Sequence, residues 1–122
     1  MEGRQNRRLE LGRRGEEAAV RWLKRRGFRV VERGYRRLRG EIDIIARDGE
    51  TLVFIEVKTR AGSAFGSPEE SVTPGKASQI RKIAQAYLVD RGLGDPPCRF
   101  DVLAVEAGVD GALTIRHIPD AF

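Results

Sequence analysis

Residues 41–58 read Glu41-Ile42-Asp43-Ile44-Ile45-Ala46-Arg47-Asp48-Gly49-Glu50-Thr51-Leu52-Val53-Phe54-Ile55-Glu56-Val57-Lys58, two strand-like runs around a turn signal. Asp48-Gly49 predicts a two-residue hairpin, because both residues tolerate φ > 0. With that loop, Arg47 faces Glu50, and Asp43 falls opposite Phe54 and diagonal to Glu56. The period of two places Leu52, Phe54, Glu56 and Lys58 on one face of the second strand and Val53, Ile55 and Val57 on the other. Both faces open apolar and are expected to be covered. Glu56 and Lys58 therefore end a buried strand with charge. Such charges are costly without partners, and a bound cation together with a phosphate would satisfy both.

Outward from the hairpin, Leu11, Ala18, Ala19, Trp22 and Leu23 recur at helical spacing, which predicts a first helix from about Leu9 to Arg26, stopped by Gly27. At about 100° per residue Glu16 falls beside Leu23 at the edge of the buried stripe, whereas Glu17 points to solvent. Residues 1–8 are polar and read as a flexible basic N-terminus ahead of a single domain, 9–122. Phe28 to Tyr35 reads as a strand, followed by a basic turn from Arg36 to Gly40. Thr59 to Pro74 has loop composition. Thr73-Pro74 then supplies an N-cap and an N1 proline for a second helix carrying Ile80, Ile83, Ala84, Tyr87 and Leu88, which ends before Gly92. Phe100 to Val105 and Leu113 to Ile118 complete five strands. A local hairpin and a helical crossover with a parallel return predict an α/β chain, a three-layer α/β/α domain around a central mixed β-sheet.

The chain of 122 residues is one domain by length, and its composition, 40% hydrophobic and 34% charged, is that of a soluble globular protein. No apolar run approaches the roughly 20 residues needed to span a bilayer. An arginine-rich start without a following apolar segment, and a single cysteine, Cys98, point to the cytoplasm and exclude an internal disulfide. The net charge of +5 is unevenly spread: residues 1–39 hold 14 Lys/Arg against 5 Asp/Glu, whereas residues 40–122 hold 9 against 13. A basic third of this kind is the footprint of a phosphate-backbone binder, or else a solvated helix face with a basic tail.

Asp43 and Glu56 are hard oxygen ligands suited to Mg²⁺ or Mn²⁺, and Lys58 projects on the face of Glu56, where it could neutralise a phosphate or steer a water. The plainer reading of Glu56 and Lys58 is an ion pair at a fraying hairpin end, which the apolar run before them disfavours. Asp101, between Arg99 and Leu103, reads as one half of a structural salt bridge. The lone His117 and Cys98 make no zinc or thiol site. No phosphate-cradling Gly-x-x-x-x-Gly-Lys is present.

Gly15-Glu16, Gly40-Glu41-Ile42-Asp43, Phe54-Ile55-Glu56-Val57-Lys58-Thr59-Arg60, Lys76 and Arg99-Phe100-Asp101-Val102 together resemble the YraN family of small bacterial proteins. That family is similar to archaeal Holliday-junction resolvases and to the restriction-endonuclease-like PD-(D/E)xK nucleases. The resemblance implies a restriction-endonuclease-like fold with Asp43 and Glu56 as metal ligands, Lys58 as the catalytic lysine and Glu16 as a helix-borne carboxylate completing the site. Ile42 stands where the name-giving proline would be. The expected activity is metal-dependent hydrolysis of DNA, branched or otherwise distorted DNA included, with Arg13, Arg36, Arg37, Arg39, Arg60 and Lys76 on backbone phosphates. Lys76 reads equally as a lysine snorkelling along the second helix. Symmetric cleavage of two strands would favour a homodimer. The rival readings are a nucleic-acid-binding accessory protein that keeps the scaffold without turnover, and an adaptor for an acidic protein partner.

Overall fold

Apolar stripes on two helices cover the two faces of one sheet. A computed structural model describes residues 2–62 and 72–122, with side chains from residue 6 onward. The elements are α1 (Glu2–Arg25), β1 (Arg29–Arg37), β2 (Gly40–Asp48), β3 (Thr51–Ala61), α2 (Pro74–Asp90), β4 (Cys98–Ala107) and β5 (Leu113–Ile118). The strands lie in the order β1-β2-β3-β4-β5, with only the β3–β4 pair parallel. The architecture is therefore α/β/α around a mixed sheet, consistent with the restriction-endonuclease-like fold.

Ala19, Val20 and Leu23 of α1 pack on Ile44, Ala46, Val53, Ile55 and Leu103. On the other face Ile80, Ile83, Ala84, Tyr87 and Leu88 of α2 pack on Tyr35, Ile42, Ile45, Leu52 and Phe54. The first helix starts at Glu2 rather than Leu9 because Glu2, Arg4, Gln5, Arg7 and Arg8 are good helix formers and no proline interrupts them. Its end is a Schellman motif: Gly27 has φ +86°, Phe28 N–H donates to the Leu23 carbonyl at 3.0 Å and Gly27 N–H to that of Lys24 at 3.1 Å. Thr73 caps α2, its hydroxyl accepting from Lys76 N–H. Of the expected loop from Thr59 to Pro74, β3 takes the first residues to Ala61, and residues 63–71 lie outside the described part.

The hairpin register needs correction. Asp48 pairs with Thr51 and Ile44 with Ile55, so the loop is Gly49-Glu50, not Asp48-Gly49. Glycine takes the first central position at φ +61°, as a type II′ turn asks, and Asp48 stays in the strand. One step beyond Ile44–Ile55, Asp43 comes level with Glu56 instead of Phe54. The basic turn is also tighter than read: Arg36 and Arg37 belong to β1, and only Leu38 and Arg39 form the loop.

Candidate functional site

The ladder between β2 and β3 ends at Ile44–Ile55. Just past it the Asp43 carboxylate replaces the strand, its Oδ2 accepting from the Val57 N–H at 2.8 Å. The alternation of β2 also slips here. Ile44 packs under α1 but Ile42 under α2, although they are two residues apart. On β1 the same slip occurs between Arg33, which reaches Glu17 of α1 at 2.9 Å, and Tyr35, which packs under α2. Between them Gly34 takes φ +61°, a conformation that costs glycine nothing. The kink turns the sheet at Asp43, so that this carboxylate interacts both with Glu16 on the α1 side and with Glu56 on the α2 side.

Glu56 is 4% exposed, and its Oε2 is the one buried side-chain polar atom among the described residues without a hydrogen-bond partner. Burial above all, then the charge of Asp43 and a hydrogen bond with it, push the Glu56 carboxyl up to about 8, against the opposing pull of Lys58 and Lys76. Glu16 is raised by burial first and by Asp43 second. The Lys58 ammonium is pushed below its ordinary range by burial, then by a bond and charge from Lys76, while Glu56 and Asp43 hold it up. Lys76, on the first turn of α2, thus meets the end of β3.

Glu16 reaches the site because Gly15 lets α1 touch β3. A Cβ at Gly15 would collide with the side chain of Thr59, so any larger residue would push the helix off. A cleft of about 430 Å³ opens there, lined by Glu16, Asp43, Val57 and Thr59 together with Arg8 and Arg13. Glu17 is exposed at the solvent side of the helix, as its place on the wheel requires.

The structure thus brings Glu16, Asp43, Glu56, Lys58 and Lys76 to one end of the sheet. Of the expected phosphate contacts, Arg13 is exposed at the cleft and pairs with Glu10 at 2.6 Å. Arg36 and Arg37 flank the β1–β2 turn, with Arg36 paired to Glu41 at 3.5 Å and Arg37 to Asp90 at 3.0 Å. Arg39 lies in the turn and is exposed. Arg60 follows Lys58 by two on β3, level with Glu106 of β4. Exposed pairs of this kind are weak enough to be exchanged for phosphate.

Asp101 lies on the neighbouring strand level with Ile55, one residue before Glu56, but belongs to a separate network. It is fully buried and takes bonds from Arg99 at 2.9 Å, from the Asp120 N–H at 2.9 Å and from His117 Nε2 at 2.7 Å. Burial alone would raise its carboxyl; the bonds from Arg99, Asp120 and His117 outweigh that and hold it below the ordinary range. With its oxygens satisfied, this network ties the C-terminal segment to the sheet. Sequence reading missed the participation of His117, which has no local signal, and the role of Gly34.

The model of the uncharacterised protein family UPF0102 matches residues 15–105, the stretch from the helix-borne Gly15 to Val105 near the end of β4. The chain belongs to this family. A UPF0102 protein of Symbiobacterium thermophilum is 48% identical over 112 residues, covering 92% of this chain and 95% of its own. Those of Geotalea uraniireducens and Chlorobium limicola are 51% and 50% identical, each over 92% of this chain and over 88% and 91% of theirs. The UPF0102 match spans α1 from Gly15, all of β1 to β3, α2 and most of β4, and so includes every carboxylate and lysine of the site. Among the described residues no helix is long and apolar enough to cross a membrane.

Proposed function

We propose that the protein is a metal-dependent endonuclease that hydrolyses DNA phosphodiester bonds. The observation that carries this reading is the unpartnered, buried Oε2 of Glu56 beside Asp43, with two lysines facing the pair. A buried carboxylate oxygen without a donor costs free energy in the metal-free protein, and a hard divalent cation removes that cost. Asp43 keeps one oxygen for such an ion while the other holds Val57. Among the described residues no group of three or more His, Cys, Asp and Glu is arranged to hold an ion unaided. Two carboxylates suit Mg²⁺ or Mn²⁺, which keep several waters and bind through one or two carboxylates plus substrate phosphates. When bound, the ion would lower the pKa of a water and offset charge on the phosphate.

The remaining work falls to the protein. Lys58 and Lys76 place positive charge where the scissile phosphate would sit, shielding it as it becomes more negative. Glu16, its carboxyl raised by burial and by Asp43, lines the cleft beside Asp43 from α1 and can accept or hold a water proton. Arg13, Arg36, Arg37, Arg39 and Arg60 would draw the backbone across the sheet end.

The test is an incubation of purified protein with linear, flapped and four-way DNA in Mg²⁺ or Mn²⁺. Asp43→Asn is expected to abolish cleavage while binding DNA in chelator slightly more tightly, since it removes a negative charge facing phosphate. Glu56→Gln is expected to abolish cleavage and to bind as tightly as the parent at pH 7, where the raised Glu56 carboxyl keeps its proton without metal, and more tightly only above pH 8. Lys58→Ala is expected to stop cleavage and weaken binding. Cleavage by all three variants at the parent rate would dismiss the nuclease reading and leave a non-catalytic DNA-binding accessory protein.

A further inference from the structure

The β1–β2 turn is built against its own sequence preference. Arg37 pairs with Gly40, leaving Leu38-Arg39 as a two-residue loop with φ +53° and +60°. Both residues therefore occupy the left-handed region that such turns normally fill with Asn-Gly. A leucine there is strained, and strain of this kind persists only where the surroundings enforce it. Here they do. Gln79 of α2 donates to the Leu38 carbonyl at 2.5 Å, Arg37 and Tyr35 both bond Asp90 at the far end of α2, and Gly40 lies so close to Ile83 that a Cβ would come within 2.7 Å of it. The turn is clamped to the helix, yet the Leu38 side chain is 47% exposed. It stands between Arg37 and Arg39 in the turn, beside an open hollow of about 550 Å³ lined by Arg36, Arg37 and Arg39 with Gly40 and Glu41.

An isolated exposed leucine on an ordinary surface needs no explanation. This one occupies a position where glycine would cost the fold less, and two of the cations around it are held only loosely: Arg36 pairs with the exposed Glu41 at 3.5 Å, and Arg39 makes no ion pair among the described residues. An apolar tip ringed by arginines complements one surface above others: a base step between two phosphate backbones. Proteins that kink duplexes insert leucine or similar wedges into a step while basic side chains hold the flanking phosphates.

We propose that Leu38 is such a wedge, entering a base step while Arg36 and Arg39 grip the phosphates on either side. The inference rests on the DNA reading above and narrows its substrate to DNA with a step that opens easily, as at a junction, flap or bend. Position supports it. The turn lies at the same end of the sheet as the carboxylates, and the strand from Gly40 to Asp43 spans about 10 Å, or about three base steps at 3.4 Å, with the Leu38-Arg39 loop beyond it. The wedge would hold DNA open a short distance from the phosphate presented to Asp43 and Glu56.

The experiment uses the full chain with duplex and four-way DNA carrying 2-aminopurine at successive positions, in chelator so that no strand is cut. The parent is expected to bind and to raise fluorescence severalfold at one or two adjacent positions. Leu38→Gly, suited to φ +53°, is expected to melt at the same temperature or higher and to keep the salt slope, but to lose the fluorescence rise. Leu38→Phe should retain it. A Leu38→Gly variant that unstacks DNA like the parent overturns the wedge, as does a parent that binds with no rise at any position. Those two outcomes leave DNA binding standing; failure of the parent to bind any of the DNAs removes the DNA reading and the wedge together.

Discussion

If Glu56 is held for an ion rather than for the fold, replacing it with glutamine should make the metal-free protein more stable. Its carboxyl has an ordinary value of 4.5 and is pushed up to about 8 in the folded chain. Between those values the folded state binds more protons than the unfolded one, so the stability of the parent falls as pH rises through the window and levels off above both. At about 1.4 kcal/mol per pKa unit the full cost above pH 8 is about 5 kcal/mol, and at pH 7, where the folded state still keeps its proton, about 3 kcal/mol. Glutamine resembles the protonated acid and does not titrate. In chelator, Glu56→Gln is therefore expected to melt on the order of 10 °C above the parent at pH 7, by more at pH 9, and no differently near pH 4. Adding Mg²⁺ should raise the parent's melting temperature by mass action and leave the variant nearly unmoved. Calorimetry across pH 4 to 9 decides the matter. A Glu56→Gln variant that melts below the parent at pH 8 would mean that the carboxylate is a structural anchor, and the argument from its orphaned oxygen would fail.

Replacing Arg36, Arg37 and Arg39 with alanine together should weaken DNA binding across sequences and flatten the salt dependence by about one unit of slope for each phosphate no longer gripped, read by fluorescence anisotropy over a salt series; an unchanged slope would place the turn away from the DNA. Gly15→Ala should force α1 off Thr59, costing about 1–3 kcal/mol and drawing Glu16 away from Asp43, with Thr59→Ala restoring part of the loss in denaturant melts. Asp101→Asn should cost about 1–3 kcal/mol at neutral pH by weakening the charge-assisted bonds from Arg99, His117 and the Asp120 N–H, while Arg99 keeps its exposed pair with Asp48. Because the Asp101 carboxyl is depressed in the folded state, the parent loses that advantage as pH falls through its folded value, so parent and variant should converge in acid melts.

Much of this was legible in the sequence because it rests on local rules. The apolar stripes of α1 and α2, the Thr73-Pro74 cap and the parallel return after α2 follow from periodicity and backbone chemistry, and the structure has each of them. Glu16 and Glu17 fell on the correct sides of α1 from angle alone. The hairpin register did not, because Asp48 and Gly49 both tolerate a positive φ and a dipeptide signal cannot say which of them opens the turn. The N-terminal boundary of α1 was set too late because Leu9 is the first apolar residue after the start, whereas polar helix formers extend the helix without needing to bury anything.

What lay beyond sequence reading was how a carboxylate on β2 meets one on β3. Strict alternation makes two faces, and a one-residue slip would send every later side chain to the wrong one. The kink at Gly34 introduces that slip in β1, and β2 follows it at Asp43, so the strands stay paired while their faces exchange. On one side of the kink Ile44 serves the α1 core; on the other Ile42 serves the α2 core, and Asp43 lies between with access to both. Nothing in the residues around Gly34 distinguishes it from an ordinary weak point in an edge strand. Its function becomes visible only once β1 is seen to pair with β2 opposite Asp43. The carboxylate pair is thus placed by a glycine on a strand that carries neither carboxylate, and a side chain at that position, strained at φ +61°, would disturb Asp43 without touching it.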